Sequence, residues 1–431
     1  MTKMLLKDPV PKVSQPPDFT VTKTGKGWSA RETFAALQYP NYRLWFFGQM
    51  VSLMGTWMQS TAQGFLVYEL TRSPEYLGYV GFAAGAPTWL FMLYGGVIAD
   101  RMPRRTLLMI TQGFMMLLAL SLATLTFLGW VQPWHVIIFA FLLGIANAFD
   151  APTRQAFVSE LVDRDDLTNA IALNSTMFNS ATAVGPAIGG LVYALVGPAW
   201  CFIINGLSFV AVISALAAMK IRVAAAGRRR NSAIADVKAG LKYATQHSLI
   251  RLLILNVIML SLFAMGFFTL FPAWSVKVLG GDSTTNGLLQ SSRGIGALLG
   301  ALLIASMGRH KFKGRVLTTG SFLFPLMLMV FLSLRWLPLA LVSLVGVGLG
   351  QMIMMNTSNA LVQTNTPDEL RGRVMSIYTL GFFGVAPLGS LLAGWLAGRL
   401  GEPMAGYLAA SVLLCFALLI WLRVPALRRA E

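Results

Sequence analysis

Two opposite charges stand one helical turn apart near the end of a long apolar stretch. They are Asp150 and Arg154. Charged side chains inside a membrane-spanning segment are costly and usually serve a function. Asp150 can carry a proton, or the pair can close a gate by bonding to each other or to Asp100 and Arg104. The depth of Asp150 and its built-in partner favour the gate, and the sequence leaves both roles open.

A second group of polar side chains recurs along an apolar stretch at steps of three and four residues. This spacing places them on one stripe of a helix. Polar groups avoid lipid, so we predict that the stripe lines a water-filled cavity, with interhelical hydrogen bonds as the alternative. A later stretch offers Asn356 and Asn359 as further cavity candidates. The members of the stripe are Gln49, Ser52, Thr56, Gln59 and Gln63.

One arginine, Arg293, falls inside an apolar stretch with no acid nearby in the sequence. Its guanidinium can bind an anionic substrate. Alternatively, Arg293 lies near the outer surface and extends its charge to the interface. The sequence alone does not separate these two roles.

A charged segment joins two apolar stretches at residues 96–105. Gly96 permits close helix approach, Asp100 stands where one stretch ends, and Arg101, Arg104 and Arg105 surround the start of the next. A carboxylate near a helix N-terminus is stabilised by about 0.3–1 kcal/mol. The segment therefore suits a contact between Asp100 and the start of another helix, and a positive-inside stop signal alone is the simpler alternative.

Another apolar stretch contains Gly185, Pro186, Gly189 and Gly190. Proline frees a backbone carbonyl and kinks a helix, and glycines at helical spacing permit tight packing on a neighbour. The pattern therefore predicts a kinked helix in close contact with another. A packing kink without further function is the simpler alternative.

The elements that must position these residues are transmembrane helices. The chain has 431 residues, of which 56% are hydrophobic and 12% are charged, against about 25% charged in soluble proteins. A bilayer requires about 20 mostly apolar residues per helix. Twelve stretches qualify, near 42–68, 75–99, 105–129, 134–158, 168–194, 199–220, 250–276, 285–308, 315–334, 338–363, 369–397 and 403–423.

The basic residues predict the orientation. With both termini in the cytoplasm, 29 of the 34 Lys and Arg residues lie on the cytoplasmic side, four lie on the other side, and Arg293 lies within a span. This asymmetry follows the positive-inside rule. It accounts for the net charge of +17 without a nucleic-acid partner.

The two halves of the chain resemble each other. Asp165-Asp-Leu before the fifth span corresponds to Asp368-Glu-Leu before the eleventh, and Gly185-Pro186 corresponds to Ala386-Pro387. We predict an all-α membrane protein with two pseudo-symmetric six-helix bundles. Its parts are an N-terminal tail (1–40), a first bundle (41–220), a linker with an amphipathic helix (221–249), a second bundle (250–425) and a C-terminal tail (426–431).

The sequence argues against an enzyme. The two cysteines and three histidines are far apart, so we expect no metal site. No phosphate-binding G-x-x-x-x-G-K-[ST] motif occurs, and no paired intramembrane acids or nucleophile–base pair suggest a hydrolase. We expect no cofactor.

The 96–105 segment resembles the G-x-x-x-D-R-x-G-R-R signature of the major facilitator superfamily, with Pro103 in place of a glycine. In that family the aspartate of the signature faces the start of the eleventh span, so the resemblance implies the same contact for Asp100. Gly185 to Gly190 resembles the G-P-x-x-G-G end of that family's antiporter motif, although Met177 and Ala181 replace its upstream glycines. Short segments such as Asp150-Ala-Pro-Thr-Arg154 are similar to sequences in the branch of this superfamily that contains enterobactin and macrolide exporters. The resemblance covers residues 40–425.

The resemblance implies a bacterial inner-membrane exporter of small amphipathic molecules, such as siderophores or drugs, that is driven by the proton gradient and works by alternating access. We expect its partners to be substrate, protons and the lipid bilayer, and the chain to be a monomer. An importer or facilitator on the same fold is one alternative. A membrane receptor or scaffold that transports nothing is another.

Overall fold

The computed structural model describes residues 34–220, 233–307 and 313–423, except for the side chains of residues 92, 93, 95–97, 99, 100 and 233–239. Within these ranges the regular structure is helical. We number the helices α1 Pro40–Thr71, α2 Pro74–Arg101, α3 Arg104–Phe127, α4 Pro133–Phe157, α5 Leu167–Val196, α6 Pro198–Ala218, α7 Ala233–Gln246, α8 Ser248–Phe268, α9 Phe271–Lys277, α10 Ser283–Ser306, α11 Lys313–Ser333, α12 Leu337–Thr364, α13 Asp368–Leu400 and α14 Glu402–Arg423.

Local sequence accounts for the helix boundaries. Proline occupies the first turn of α1, α2, α4 and α6, where its missing N–H costs no hydrogen bond. Gly197 ends α5 with φ 92°, and Gly401 ends α13 with φ 83°. These conformations suit glycine, and the two residues occupy corresponding places in the two halves. The repeat that the sequence predicts is therefore visible in the turns.

Ten of the twelve predicted spans are confirmed as helices long and apolar enough to cross a bilayer, namely α3–α6, α8 and α10–α14. The other two predicted spans correspond to α1 and α2, which contain 32 and 28 residues. At a rise of about 1.5 Å per residue, both exceed the thickness of a hydrocarbon core of about 30 Å.

Short connections make successive helices antiparallel, so the fold has two ends. We call the end where α1 begins and α14 ends the basic end, and the opposite end the distal end. Helices α1–α6 form the first bundle and α8–α14 form the second. The bundles meet where α5 packs on α10 and where α2 packs on α13.

Two helices of the second bundle contain a π-helical turn. The turns are Leu260–Met265 in α8 and Leu380–Gly384 in α13, and they lie side by side. The Ser261 hydroxyl donates a hydrogen bond to the Phe382 carbonyl oxygen. A π-turn widens the helix and leaves backbone groups available to partners outside its own ladder.

Helix α7 lies in the segment predicted as the linker. It packs on the first turns of α13, where the buried Gly240 faces the backbone of Arg373. Residues 221–232 of the predicted linker lie outside the described residues, as do residues 1–33 of the N-terminal tail and 424–431 at the C-terminus. The domain boundaries therefore stay predictions.

Candidate functional site

The first contact between the bundles involves the Gly185–Gly190 segment of α5. A Cβ added to Gly287 of α10 would lie 2.4 Å from the Pro186 carbonyl oxygen. The Ser283 hydroxyl donates to the Gly190 carbonyl oxygen at 3.2 Å, and the Ala187 amide donates to the Ser291 hydroxyl at 2.8 Å. The proline region thus joins the two bundles through backbone contacts that only small residues permit.

The same segment also packs on α1. A Cβ on Gly185 would lie 2.7 Å from Trp57 Cβ, and one on Gly189 would lie 2.9 Å from the Met58 carbonyl oxygen. Helix α5 is therefore held between α1 and α10. This is the tight packing that the sequence pattern predicted, and its antiporter role stays a prediction.

The second contact between the bundles uses the matching proline of the other half. A Cβ on Gly85 of α2 would lie 2.3 Å from Pro387 Cγ in α13. Closer to the distal end, Gly78 faces Gly394. Towards mid-depth, Trp89 Nε1 donates to the Gly384 carbonyl oxygen at 2.5 Å. Pro186 and Pro387, which correspond in the repeat, thus each lie against a glycine of the opposite bundle.

These contacts close the molecule at its distal end. They extend along α5 and α10 from the Ser283–Gly190 bond to Gly294, which faces Thr182. Nearer the basic end, α5 exposes Ser175 and Thr176, about 12–14 Å from the start of the helix. Polar side chains at that depth favour contact with water over lipid. We interpret this as a cleft between the bundles that opens towards the basic end.

Asp150 lies at the centre of a buried network in the first bundle. Its side chain is 1% exposed. Its Oδ1 accepts hydrogen bonds from Gln112 Nε2 at 2.8 Å and from the Thr111 hydroxyl at 3.0 Å. Its Oδ2 lies 3.7 Å from Arg154 Nη1. Of the pairings left open by the sequence, the structure shows the one between Asp150 and Arg154.

Arg104 pairs with Glu160 and not with Asp150, the partner that the sequence suggested for it. Its Nη1 forms an ion pair with Glu160 Oε1 at 2.7 Å and donates to the Ala156 carbonyl oxygen. Glu160 lies in a short turn after α4, and sequence reasoning missed it because the two residues are 56 positions apart. Their contact depends on which faces of α3 and α4 meet, and no local pattern reveals that.

The rest of the 96–105 segment is only partly described. Helix α2 ends at Arg101 and α3 begins at Arg104, as predicted. Arg105 Nη2 donates to the Ala217 carbonyl oxygen at 2.8 Å, which ties α3 to α6. Arg101 is exposed. The close approach predicted at Gly96, and the contact of Asp100 with the other half that the resemblance implies, lie outside the described side chains.

Nearby, a hydrogen-bond cluster joins the starts of α1 and α5. The Tyr39 hydroxyl donates to Asp166 Oδ2 at 2.8 Å, and Asp163 Oδ2 lies 3.1 Å from the same hydroxyl oxygen. The hydrogen bond to Asp166, with the smaller effects of burial and of Asp163, raises the pKa of Tyr39 to about 12. The hydroxyl therefore stays protonated and remains a donor at neutral pH.

The polar stripe of α1 requires a correction. Four of its members are 5% exposed or less, and three have partners inside the first bundle. Gln59 Oε1 accepts from Asn205 at 2.6 Å, Gln63 donates to the Val136 carbonyl oxygen at 3.1 Å, and Ser52 donates to Gln112 at 3.5 Å. The cavity prediction is thus wrong for Ser52, Gln59 and Gln63, which face α3, α6 and α4, whereas Gln49 is buried with no partner for its Oε1 and its role stays a prediction. The four are Gln49, Ser52, Gln59 and Gln63.

The remaining polar candidates differ in their surroundings. Thr56 is half-buried and donates to the Ser52 carbonyl oxygen at 2.9 Å. Asn356 and Asn359 in α12 are also half-buried, and Asn359 accepts from Gln363 at 2.6 Å. Their role in a cavity stays a prediction. No cluster of three or more metal-binding side chains occurs among the residues that the structure describes.

Arg293 lies at mid-helix in α10 and is half-buried. Its Nη1 donates to Gln351 Oε1 in α12 at 3.2 Å, and its guanidinium carbon lies 4.5 Å from the ring centre of Phe268 in α8. Its Nε is buried without a hydrogen-bond partner. Three helices of the second bundle therefore hold this charge well inside the fold.

Comparison with known proteins supports the fold and a family. A family model described as "Transmembrane secretion effector" matches residues 31–431. The Staphyloferrin A transporter of Staphylococcus aureus is 26% identical over 362 residues, which cover 83% of this chain and 90% of the relative. The multidrug efflux pump Tap of Mycolicibacterium fortuitum is 26% identical over 394 residues, covering 89% and 96%.

Solved structures share the architecture at lower identity. The peptide transporter POT in complex with sulfate matches with a TM-score of 0.72 at 13% identity, covering 90% of this chain and 95% of that one. The D-xylose-proton symporter matches with a TM-score of 0.66 at 14% identity, covering 92% and 99%. These matches establish the fold alone.

Proposed function

Because the chain belongs to the transmembrane secretion effector family, within the major facilitator superfamily, we propose that it is a proton-coupled exporter of small amphipathic organic molecules. The relatives are named for a siderophore and for drugs, and a substrate of either kind fits this proposal. The chain is a transporter rather than an enzyme, and it needs no cofactor beyond the proton gradient.

One observation carries the proposal of alternating access. The bundles touch at the distal end through Gly287 on Pro186 and Gly85 on Pro387, whereas α5 exposes Ser175 and Thr176 towards the basic end. A transporter that rocks one half on the other presents such a cleft in one of its states. The glycine contacts suit a reversible interface because they involve few side chains that would have to repack.

The basic residues support the placement in the membrane. We place the basic end in the cytoplasm of a bacterium, with both termini there, because the topology predicted from the sequence assigns 29 of the 34 Lys and Arg residues to that side of the membrane. In this orientation the cleft faces the cytoplasm, where an exporter collects its substrate. The bundles complete the cleft within one chain, so we propose a monomer in the lipid bilayer.

Transport by purified protein in proteoliposomes tests the proposal. With an imposed proton gradient, we expect efflux of an amphipathic substrate that stops when an ionophore collapses the gradient. Efflux that continues unchanged would contradict proton coupling. Net uptake in oriented vesicles would favour an importer, equilibration without accumulation would favour a facilitator, and binding without any flux would favour a receptor.

A further inference from the structure

Arg293 is too deep in the membrane for its charge to reach an interface. It stands ten residues after the start of α10 and thirteen before its end, which corresponds to about 15 Å and about 20 Å along the helix. Its guanidinium turns inward, towards Gln351 and the ring of Phe268. The structure therefore removes the surface alternative that the sequence left open.

No acid of the second bundle neutralises this charge. The acids between residues 250 and 423 all stand at helix ends. Asp282 accepts a hydrogen bond from the Thr285 amide, Glu402 pairs with Lys277 and Asp368 pairs with Arg371. Among the described residues Arg293 forms no ion pair. A cation held in this way inside a membrane protein marks a functional site, and an anion is the missing partner.

Arg293 belongs to a polar face of α10. Asn286, Gln290 and Arg293 follow at positions i, i+4 and i+7, so they lie along one side of the helix. Asn286 is fully buried and its Nδ2 has no hydrogen-bond partner. Gln290 donates to Asn286 Oδ1 at 3.3 Å and accepts from Thr61 of the first bundle at 3.4 Å. This face thus lies alongside the contact between the bundles, with Arg293 at its edge, next to Gly294.

The opposite bundle supplies an apolar surface near the same depth. Thr182 of α5 faces Gly294, next to Arg293, and Phe178 lies one turn nearer the basic end. The exposed Phe178 ring is 5.9 Å from the half-buried Trp57 ring, edge to face. Aromatic surfaces of this kind bind apolar groups. The cleft therefore has a cationic, amide-rich side and an aromatic side.

We infer that Arg293 binds a carboxylate of the substrate, and that the transported molecules are amphipathic organic anions. The inference rests on the proposed transport function and narrows its substrate class. The hydrogen bond to Gln351 uses Nη1 and Nε has no partner, so the guanidinium retains donors for a planar carboxylate, which arginine binds in bidentate fashion. The apolar part of the molecule lies against Trp57 and Phe178.

Binding by the purified full-length protein tests this inference. The probes are pyrenebutyrate, naphthylacetate and decanoate, each beside its carboxamide, which has nearly the same shape but no charge. We expect at least one acid to bind the wild type more tightly than its amide. Arg293→Gln should weaken acid binding at least about tenfold and leave amide binding unchanged. Arg293→Lys keeps the positive charge but loses the planar pair of N–H donors. Its affinity for the acids should therefore lie between those of the wild type and of Arg293→Gln.

Arg399→Gln is the matched control. Arg399 also lies over an aromatic ring, Trp395, at 4.6 Å, but at the distal end of α13. We expect this variant to bind acids like the wild type. If none of the three acids binds better than its amide, or if Arg293→Gln binds the acids as tightly as the wild type, the inference is wrong.

Counterflow in proteoliposomes separates this inference from the proposed function. Transport of the amides but not the acids would leave the transporter intact and overturn the role of Arg293. Acid binding that depends on Arg293, without flux of any probe, would support the anion site and count against export.

Discussion

The side-chain amide of Gln112 donates to the carboxylate of Asp150, Nε2 to Oδ1 at 2.8 Å, from a helix 38 positions earlier in the chain. Thr111 donates to the same oxygen, and Arg154 lies beside the other. The carboxylate is thus enclosed by partners from α3 and from its own helix α4. This enclosure shields the carboxylate from water in the state that the structure shows, and a proton carrier would need access to water in another state, so the gate and the carrier roles both stay predictions.

Asp150→Asn tests the two roles. The asparagine oxygen can still accept from Gln112 and Thr111, but Arg154 loses its counter-charge. If the network sets the geometry of the gate, we expect counterflow and proton-driven flux to fall together, by about tenfold for a loss of about 1–2 kcal/mol. Substrate counterflow and gradient-driven flux in the same proteoliposomes measure this. Intact counterflow with lost proton-driven flux would instead identify Asp150 as the proton carrier.

The ion pairs Arg104–Glu160 and Asp150–Arg154 should differ in their effect on stability. Arg104 and Glu160 are 27% and 25% exposed, whereas Asp150 is 1% exposed. Glu160→Gln removes a partly solvated charge and should cost less than about 1 kcal/mol. Asp150→Leu leaves Arg154 beside an apolar group and should cost about 3–5 kcal/mol. Unfolding of the two purified variants in parallel measures their losses of stability. Equal losses would show that burial does not determine how much each ion pair contributes to stability.

The bilayer explains why the helices were predictable from the sequence. Residues 105–129 and 199–220 were predicted as spans, and the structure has Arg104–Phe127 and Pro198–Ala218. A membrane demands a minimum apolar length, and prolines and glycines mark where the length ends. The closing glycines of the two halves, Gly197 and Gly401, illustrate how local this information is.

The neighbours of each helix were not predictable in the same way. Periodicity showed that Gln59 and Gln63 share a face, but not that the face meets Asn205 of α6 and the Val136 carbonyl of α4. Which side of a helix turns towards the cleft depends on how the whole bundle packs. The partners of Arg293 could not be predicted for the same reason. Phe268 and Gln351 lie in α8 and α12, and only the packing of the whole bundle brings them to Arg293.

The close approach of Gly287 to Pro186 should control the distal contact. A Cβ in Gly287→Ala would lie 2.4 Å from a backbone oxygen that cannot move aside alone. We therefore expect α5 and α10 to separate at the distal end, which favours the state open on that side. Spin labels at the exposed positions Val196 and Trp336, in a Cys415→Ser background, should report a longer distance.

Gly113→Ala is the control for this variant. Gly113 lies within α3, and a Cβ there would meet no atom within 4 Å. We expect the label distances of this variant to match those of the unsubstituted background. If Gly287→Ala also leaves them unchanged, the glycine contact does not set the conformation.

Helix α7 should transmit motion between the bundles only while it stays docked on α13. A Cβ on Gly240 would lie 2.7 Å from the Arg373 carbonyl oxygen, so Gly240→Val should displace α7 even though valine forms helices more readily than glycine does. We expect amide hydrogen exchange across Ala233–Gln246 to rise about tenfold and transport to slow. Gly372→Ala, next to Arg373 but with no atom within 4 Å of its Cβ, should leave both unchanged. Faster exchange with normal transport would show that the linker helix only connects the bundles, since undocking it would then have no effect on their movement.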